Sequence, residues 1–134
     1  MSDQYPHLTQ YSPPIPTIEL TLRASSRQLS VGPLSALVDT GADITLIPLV
    51  HLEQLGAPEL DEVRLRSHWG SYTTVTTYLV DIEVSAGVLP GVEVVGDLYG
   101  DTILLGRNAL NKLLLLIDGP RQITELLPKR PRGL

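Results

Sequence analysis

Hydrophobic and polar positions alternate in short runs along most of this chain, the period expected of half-buried strands. Residues 17–22, Thr-Ile-Glu-Leu-Thr-Leu, place every second side chain on an apolar face and predict a strand. Residues 35–39 lead with apolar side chains into a turn, and a β-branched, apolar run follows at 44–47. Residues 62–66 and 73–84 predict the two arms of a hairpin around 67–71, the second arm rich in threonine, valine and tyrosine. Two more strands are expected at 91–95 and 102–105. Between them the period changes twice. Pro48 can open a helix and Gly56 can close it, with Leu49, Leu52 and Leu55 on one face and His51 on the exposed one. A second short helix is expected from Arg107 to about residue 113, directly after Gly106. Many short strands punctuated by glycine and proline, with one or two brief helices, predict a mainly β domain. An apolar strand ending in a glycine turn occurs twice, near Asp39 and near Gly106, a faint two-fold echo.

The ends differ from the middle. Residues 1–16 carry Pro6, Pro13, Pro14 and Pro16, a density that predicts an extended or disordered arm. The domain proper is expected over 17–123. A basic tail with Lys129, Arg130 and Arg132 is expected over 124–134, solvated and frayed in its plainest reading. A length of 134 residues suits one domain, and 25 leucines against six aromatic residues make its core aliphatic.

Composition removes several function classes. The absence of cysteine excludes a disulfide framework, a zinc finger and a thiol nucleophile. A net charge of −5 argues against a general nucleic-acid binder, so no nucleic-acid partner is expected. The polar start lacks the layout of a secretory signal. The longest unbroken apolar run, residues 113–117, is far short of the roughly 20 residues a spanning helix needs. A cytoplasmic protein without a membrane span is the expectation. His7, His51 and His68 show no metal-ligand spacing, and no phosphate-binding loop or dinucleotide fingerprint occurs, so neither metal nor cofactor is expected.

The chemistry concentrates in residues 36–43, Ala-Leu-Val-Asp-Thr-Gly-Ala-Asp. Apolar runs on both sides put the Asp39 carboxylate where water is expected to be scarce, a costly placement unless the charge is paired or used. Gly41 permits close approach of another backbone. The plain alternative is a turn, since Asp and Gly favour turns. A second segment, residues 102–110, is an apolar strand that ends at Gly106 and continues Arg107-Asn108-Ala109-Leu110, with Gly106 standing 67 positions after Asp39.

The two segments, in this order and at this spacing, resemble the retropepsins, the single-domain aspartic proteases of the retroviral type. The likeness runs from about residue 17 to about 117. Standalone bacterial relatives, with a similar Asp-Thr-Gly-Ala-Asp-Ile-Thr run before a short helix, look closer than viral ones. The resemblance implies a closed-barrel-like acid protease fold, one lobe per chain. It implies that Asp39 is the catalytic carboxylate and that the Thr40 hydroxyl locks two active-site loops together. Gly41 would offer its carbonyl to substrate, with Ala42 and Asp43 continuing the cleft floor. Asp43 is expected to pair with Arg107 of the Gly106-Arg107-Asn108 segment. A flap is expected at Ser67, His68, Trp69, Gly70 and Ser71, although one glycine stands where viral members have a glycine-rich run. The apolar strand near 113–117 is expected either to join subunits or to lie in the core.

Chemically, one carboxylate is insufficient. Aspartic proteolysis uses two carboxyls that share one proton, because two like charges a few ångströms apart cannot both ionise. Asp81, Asp97, Asp101 and Asp118 all lack a following Thr-Gly, so the chain contains no second half-site. The expectation is therefore a homodimer that hydrolyses a peptide or protein substrate. A dimeric peptide-binding or scaffolding module with little turnover is the alternative.

Overall fold

Alternation makes the first long strand. Ile18, Leu20 and Leu22 are buried at 2% exposure or less, while Glu19 and Arg23 face water. The computed structural model describes residues 3–24, 28–66 and 69–133. The strands are β1 (Asp3–Pro6), β2 (Thr17–Arg23), β3 (Ser30–Val38), β4 (Thr45–Pro48), β5 (Glu59–Arg66), β6 (Tyr72–Val84), β7 (Gly87–Asp97), β8 (Ile103–Leu105), β9 (Leu114–Asp118) and β10 (Ile123–Leu127). Among the described residues, two short helices interrupt them, α1 (Leu49–Leu55) and α2 (Arg107–Leu110). Seven strands form one sheet in the order β2-β3-β8-β4-β7-β6-β5, and β2 also pairs with β6. Six of them thus close into a barrel, and β5 hangs on the outer side of β6. This is the mainly β fold with brief helices that the sequence predicts, closed as the family resemblance implies.

Closure is made by Thr21, Leu22 and Arg23 opposite Glu83, Ile82 and Asp81, with an exposed Arg23–Glu83 ion pair at the seam. Such a pair contributes under about 1 kcal/mol, so the seam rests on Leu22 and Ile82, both fully buried. Strand β6 has two halves with different neighbours. Its second half puts Val80, Ile82 and Val84 into the core, while Tyr72, Thr73 and Thr74 are exposed and pair only with β5. The charged β5 and this outer half form a hairpin that stands away from the barrel. Helix α1 buries Leu52 and Leu55 and stops at Gly56, whose φ of 62° is left-handed, the conformation glycine adopts without strain. Pro48 is the residue before the first turn, not within it. His51, expected on the exposed face, has its Nδ1 enclosed without a hydrogen-bond partner. Helix α2 ends at Leu110, earlier than the periodicity predicts.

The first and last strands of the chain are paired with each other. Within the arm, residues 3–16 are tied down: β1 pairs along β10, Leu8 bridges Ile15, and the Thr17 hydroxyl donates to the Pro6 carbonyl at 3.1 Å. Proline is tolerated in β1 because it is an edge strand, where a missing N–H breaks no ladder. The boundary at 124 falls inside β10, which buries Thr124 and Leu126 and pairs with β9 on its other side. The exposed basic segment therefore begins at Pro128. His7, 8% exposed, joins arm to strand through its Nε2, 3.1 Å from the Thr124 hydroxyl. The result is a second, three-stranded sheet in the order β1-β10-β9. Among the described residues, no helix is long and apolar enough to cross a membrane.

Candidate active site

Two parallel strands bring the two sequence segments together. Ala36, Leu37 and Val38 of β3 lie opposite Ile103, Leu104 and Leu105 of β8. The loops that leave these strands then bond to each other. The Asp39 amide donates to the Leu105 carbonyl at 3.1 Å. The Arg107 amide donates to the Ala42 carbonyl at 2.8 Å, and the Asn108 amide to that of Asp43 at 3.3 Å. Gly106 must be bare at this crossing, because a Cβ there would lie 2.5 Å from the backbone carbonyl of Ile44.

The Asp39 side chain is half-buried, less enclosed than the flanking apolar runs predict. Its Oδ1 accepts the Gly41 amide at 2.9 Å, which fixes the carboxylate's direction. Gly41 is suited to that role, since a Cβ there would crowd the same oxygen at 3.1 Å. Thr40 and Asp43 are exposed, and Ala42 is half-buried.

Asp43 and Arg107 do not form the expected ion pair. Arg107 reaches the other way, donating from its guanidinium to the Thr40 carbonyl at 2.7 Å. A main-chain carbonyl at that distance takes one of the guanidinium's N–H donors, and it places the cation on the Asp39 loop itself. Asn108 points inward, taking the Thr45 hydroxyl at 2.8 Å and giving its amide to the Glu93 carbonyl at 2.7 Å. Sequence reasoning did not single out Thr45. Its hydroxyl also accepts the Gly106 amide at 3.1 Å, and the residue is completely buried. The signal available was a lone hydroxyl within the apolar run at 44–47, a polar group that has to be paired if buried. Thr45→Val should strand both the Gly106 N–H and the Asn108 side-chain oxygen. The expected destabilisation is about 2–4 kcal/mol, readable as a lower urea midpoint with unchanged slope.

Of the expected flap residues, Ser67 and His68 lie outside the described residues. Trp69 is 93% exposed near the hairpin tip, Gly70 has a φ of 82°, and Ser71 precedes β6. The Arg64 guanidinium sits 4.5 Å above the Tyr72 ring and braces the hairpin near that tip. Between hairpin and barrel lies a cavity of about 450 Å³. Leu65 and residues 73–76 form its hairpin wall, and Leu46, Leu49, Tyr78 and residues 95–99 complete the lining. Asp39 is not among its walls. Tyr78 lies against Gly96 so closely that a Cβ there would meet the ring at 2.7 Å. Burial first, then the charges of Glu59 and Glu53, raises the phenol's pKa above 10.0, so this wall is neutral in ordinary buffers.

A six-stranded barrel whose Asp-Thr-Gly loop is clasped by a Gly-Arg-Asn turn defines a retropepsin-like single-domain aspartic protease, a peptide hydrolase. Residues 28–112 match the family described as gag-polyprotein putative aspartyl protease, and the chain belongs to that family. Two solved structures share the fold. EIAV protease complexed with the inhibitor HBY-793 is 19% identical over 73% of this chain and 86% of its own, with a TM-score of 0.56. A retropepsin-like aspartic protease from Rickettsia conorii is 15% identical over 94% of this chain and 93% of its own, with a TM-score of 0.57. A search among curated proteins returns no match.

Proposed function

We propose that the chain is a homodimeric aspartic endopeptidase in which each copy supplies one Asp39 carboxyl to a shared site. The observation that carries this reading is a single carboxylate, oriented by the Gly41 amide on a loop held by Arg107, in a chain with one Asp-Thr-Gly. Two such loops meeting across a two-fold axis supply the acid and the base together. The ionised carboxyl takes a proton from a water molecule, whose oxygen attacks the peptide carbonyl carbon. The protonated carboxyl gives its proton to the carbonyl oxygen. Collapse of that intermediate returns a proton to the departing amine, and the two carboxyls exchange roles. The Thr40 hydroxyl, which makes no hydrogen bond among the described residues, locks onto the partner's loop. The Gly41 carbonyl receives a substrate amide, and Ala42 and Asp43 continue the floor beneath it. The hairpin tip around Trp69, Gly70 and Ser71 closes over an extended peptide and excludes water.

Strand β9 favours pairing with a second copy. It is one edge of the three-stranded sheet, and it exposes Leu116 at 42% and Ile117 at 48%. The opposite edge, β1, presents Asp3 and Gln4 instead. Ile117→Asp should weaken the dimer about a hundredfold, because the loss of about 1.5 kcal/mol of apolar burial counts twice across a symmetric interface. Sedimentation over a concentration series reads this directly.

The reading is tested by incubating the protein with a mixed peptide library from acid to neutral pH beside Asp39→Ala. Cleavage by the wild type alone supports it. Cleavage that survives the substitution would exclude the aspartic mechanism, and peptide binding without cleavage by either protein would favour a binding module.

A further inference from the structure

The loop between β7 and β8 turns two large apolar side chains outward, with Leu98 at 69% exposure and Tyr99 at 96%. Their backbone is fixed from within. Asp97 Oδ1 accepts the Tyr99 amide and the Gly100 amide, each at 3.0 Å. Gly100 is bare for a steric reason, since a Cβ there would lie 2.1 Å from Asp97 Oδ2. Carboxylate and bare Cα therefore fit one another, and the loop is set before any ligand arrives. Leu98 and Tyr99 also line the cavity under the hairpin, whose other walls include the aliphatic Leu46, Leu49, Leu65 and Val95. Leu46 lies on β4, just past the Asp39 loop, and pairs with Leu104, two residues before Gly106. The cavity thus lies between the hairpin and β4, the strand that the Asp39 loop enters, with the end of β7 beside it. Its volume falls within the range of about 300–1,000 Å³ usual for ligand pockets.

We propose that Asp97 is a positioning residue for substrate selection: its clamp on the Tyr99 and Gly100 amides holds Leu98 and Tyr99 as one wall of a pocket for a large aliphatic or aromatic side chain of the bound peptide. The inference rests on the peptide-hydrolase reading and adds to it the residue that shapes selectivity. A side chain of the size of Leu or Phe gains contact with Leu46, Leu49 and Leu98, whereas a lysine there loses its water among aliphatic walls.

The test uses full-length protein and peptides that carry Leu, Phe, Ala or Lys at each position flanking the scissile bond in turn. Wild type should prefer Leu and Phe to Ala at one position by about tenfold or more in kcat/KM. Asp97→Ala should raise KM for those two peptides about tenfold, with kcat within about twofold and the Ala peptide unaffected. Gly100→Ala should reproduce that pattern. Asp97→Asn should restore the wild-type preference, because its side-chain oxygen still accepts both amides. An equal fall in kcat on every peptide, or a Leu and Phe preference unchanged in Asp97→Ala, would overturn the proposal. Calorimetric binding of the same peptides to Asp39→Ala, with and without Asp97→Ala, separates the two readings. Selective binding that depends on Asp97, beside a wild type that cleaves nothing, would sustain the pocket and remove the protease. Binding indifferent to Asp97, beside Asp39-dependent cleavage, would do the reverse.

Discussion

Asp39→Asn will lower kcat by at least about 10⁴-fold while leaving the protein folded. The substitution removes two groups at once, since each copy in the proposed dimer contributes the same residue, so the general base and the general acid disappear together. Either role alone supplies about 10²–10⁴ in rate. The local structure should survive, because the amide oxygen of Asn can still accept the Gly41 N–H that Asp39 Oδ1 accepts at 2.9 Å. Stability should change by no more than about 1 kcal/mol. Cleavage rates and circular dichroism on one preparation read both halves of the expectation.

Gly106→Ala will have the next largest effect, and for a steric reason. The glycine's φ of −89° and ψ of 178° are open to any residue, so no backbone strain is involved. The added methyl would lie 2.5 Å from the carbonyl carbon and oxygen of Ile44 and 3.0 Å from its nitrogen. That backbone cannot retreat cheaply, because Asp43 before it accepts the Asn108 amide and Thr45 after it accepts the Gly106 amide. Overpacking plus a strained buried hydrogen bond should cost about 3–4 kcal/mol, a large part of the about 5–15 kcal/mol that stabilises a domain. Thermal unfolding should begin about 10–15 °C lower, and activity should be lost with the loop geometry. Gly119→Ala is the control. A Cβ there meets nothing within 4 Å, and unfolding should be unchanged.

Much of this was legible in the chain because the signals were local. Alternation in residues 17–22 and the threonine-rich arm at 73–84 mark strands that the fold contains as β2 and most of β6. Pro48 and Gly56 bracket α1 because each restricts or frees the backbone at that one position. The Asp39 and Gly106 segments were found by order and spacing, and their meeting follows from the parallel pairing of β3 with β8. What sequence reasoning missed depends on distant partners. Nothing near Arg107 says that its guanidinium prefers the Thr40 carbonyl to the Asp43 carboxylate. The prolines of the arm predict an extended or disordered segment, and nothing near them says that β10, more than a hundred residues away, supplies a ladder for β1. Asp97 enters the sequence reasoning only as a carboxylate without a following Thr-Gly; its place at the cavity edge depends on the hairpin across from it.

A shared site makes one measurement decisive: specific activity over a thousandfold dilution series, with the dimer fraction followed by sedimentation on the same samples. If each subunit brings one Asp39, specific activity should fall in step with the dimer fraction and vanish for the monomer. A monomer that cleaves peptide at the undiluted specific rate would contradict the shared carboxyl pair outright.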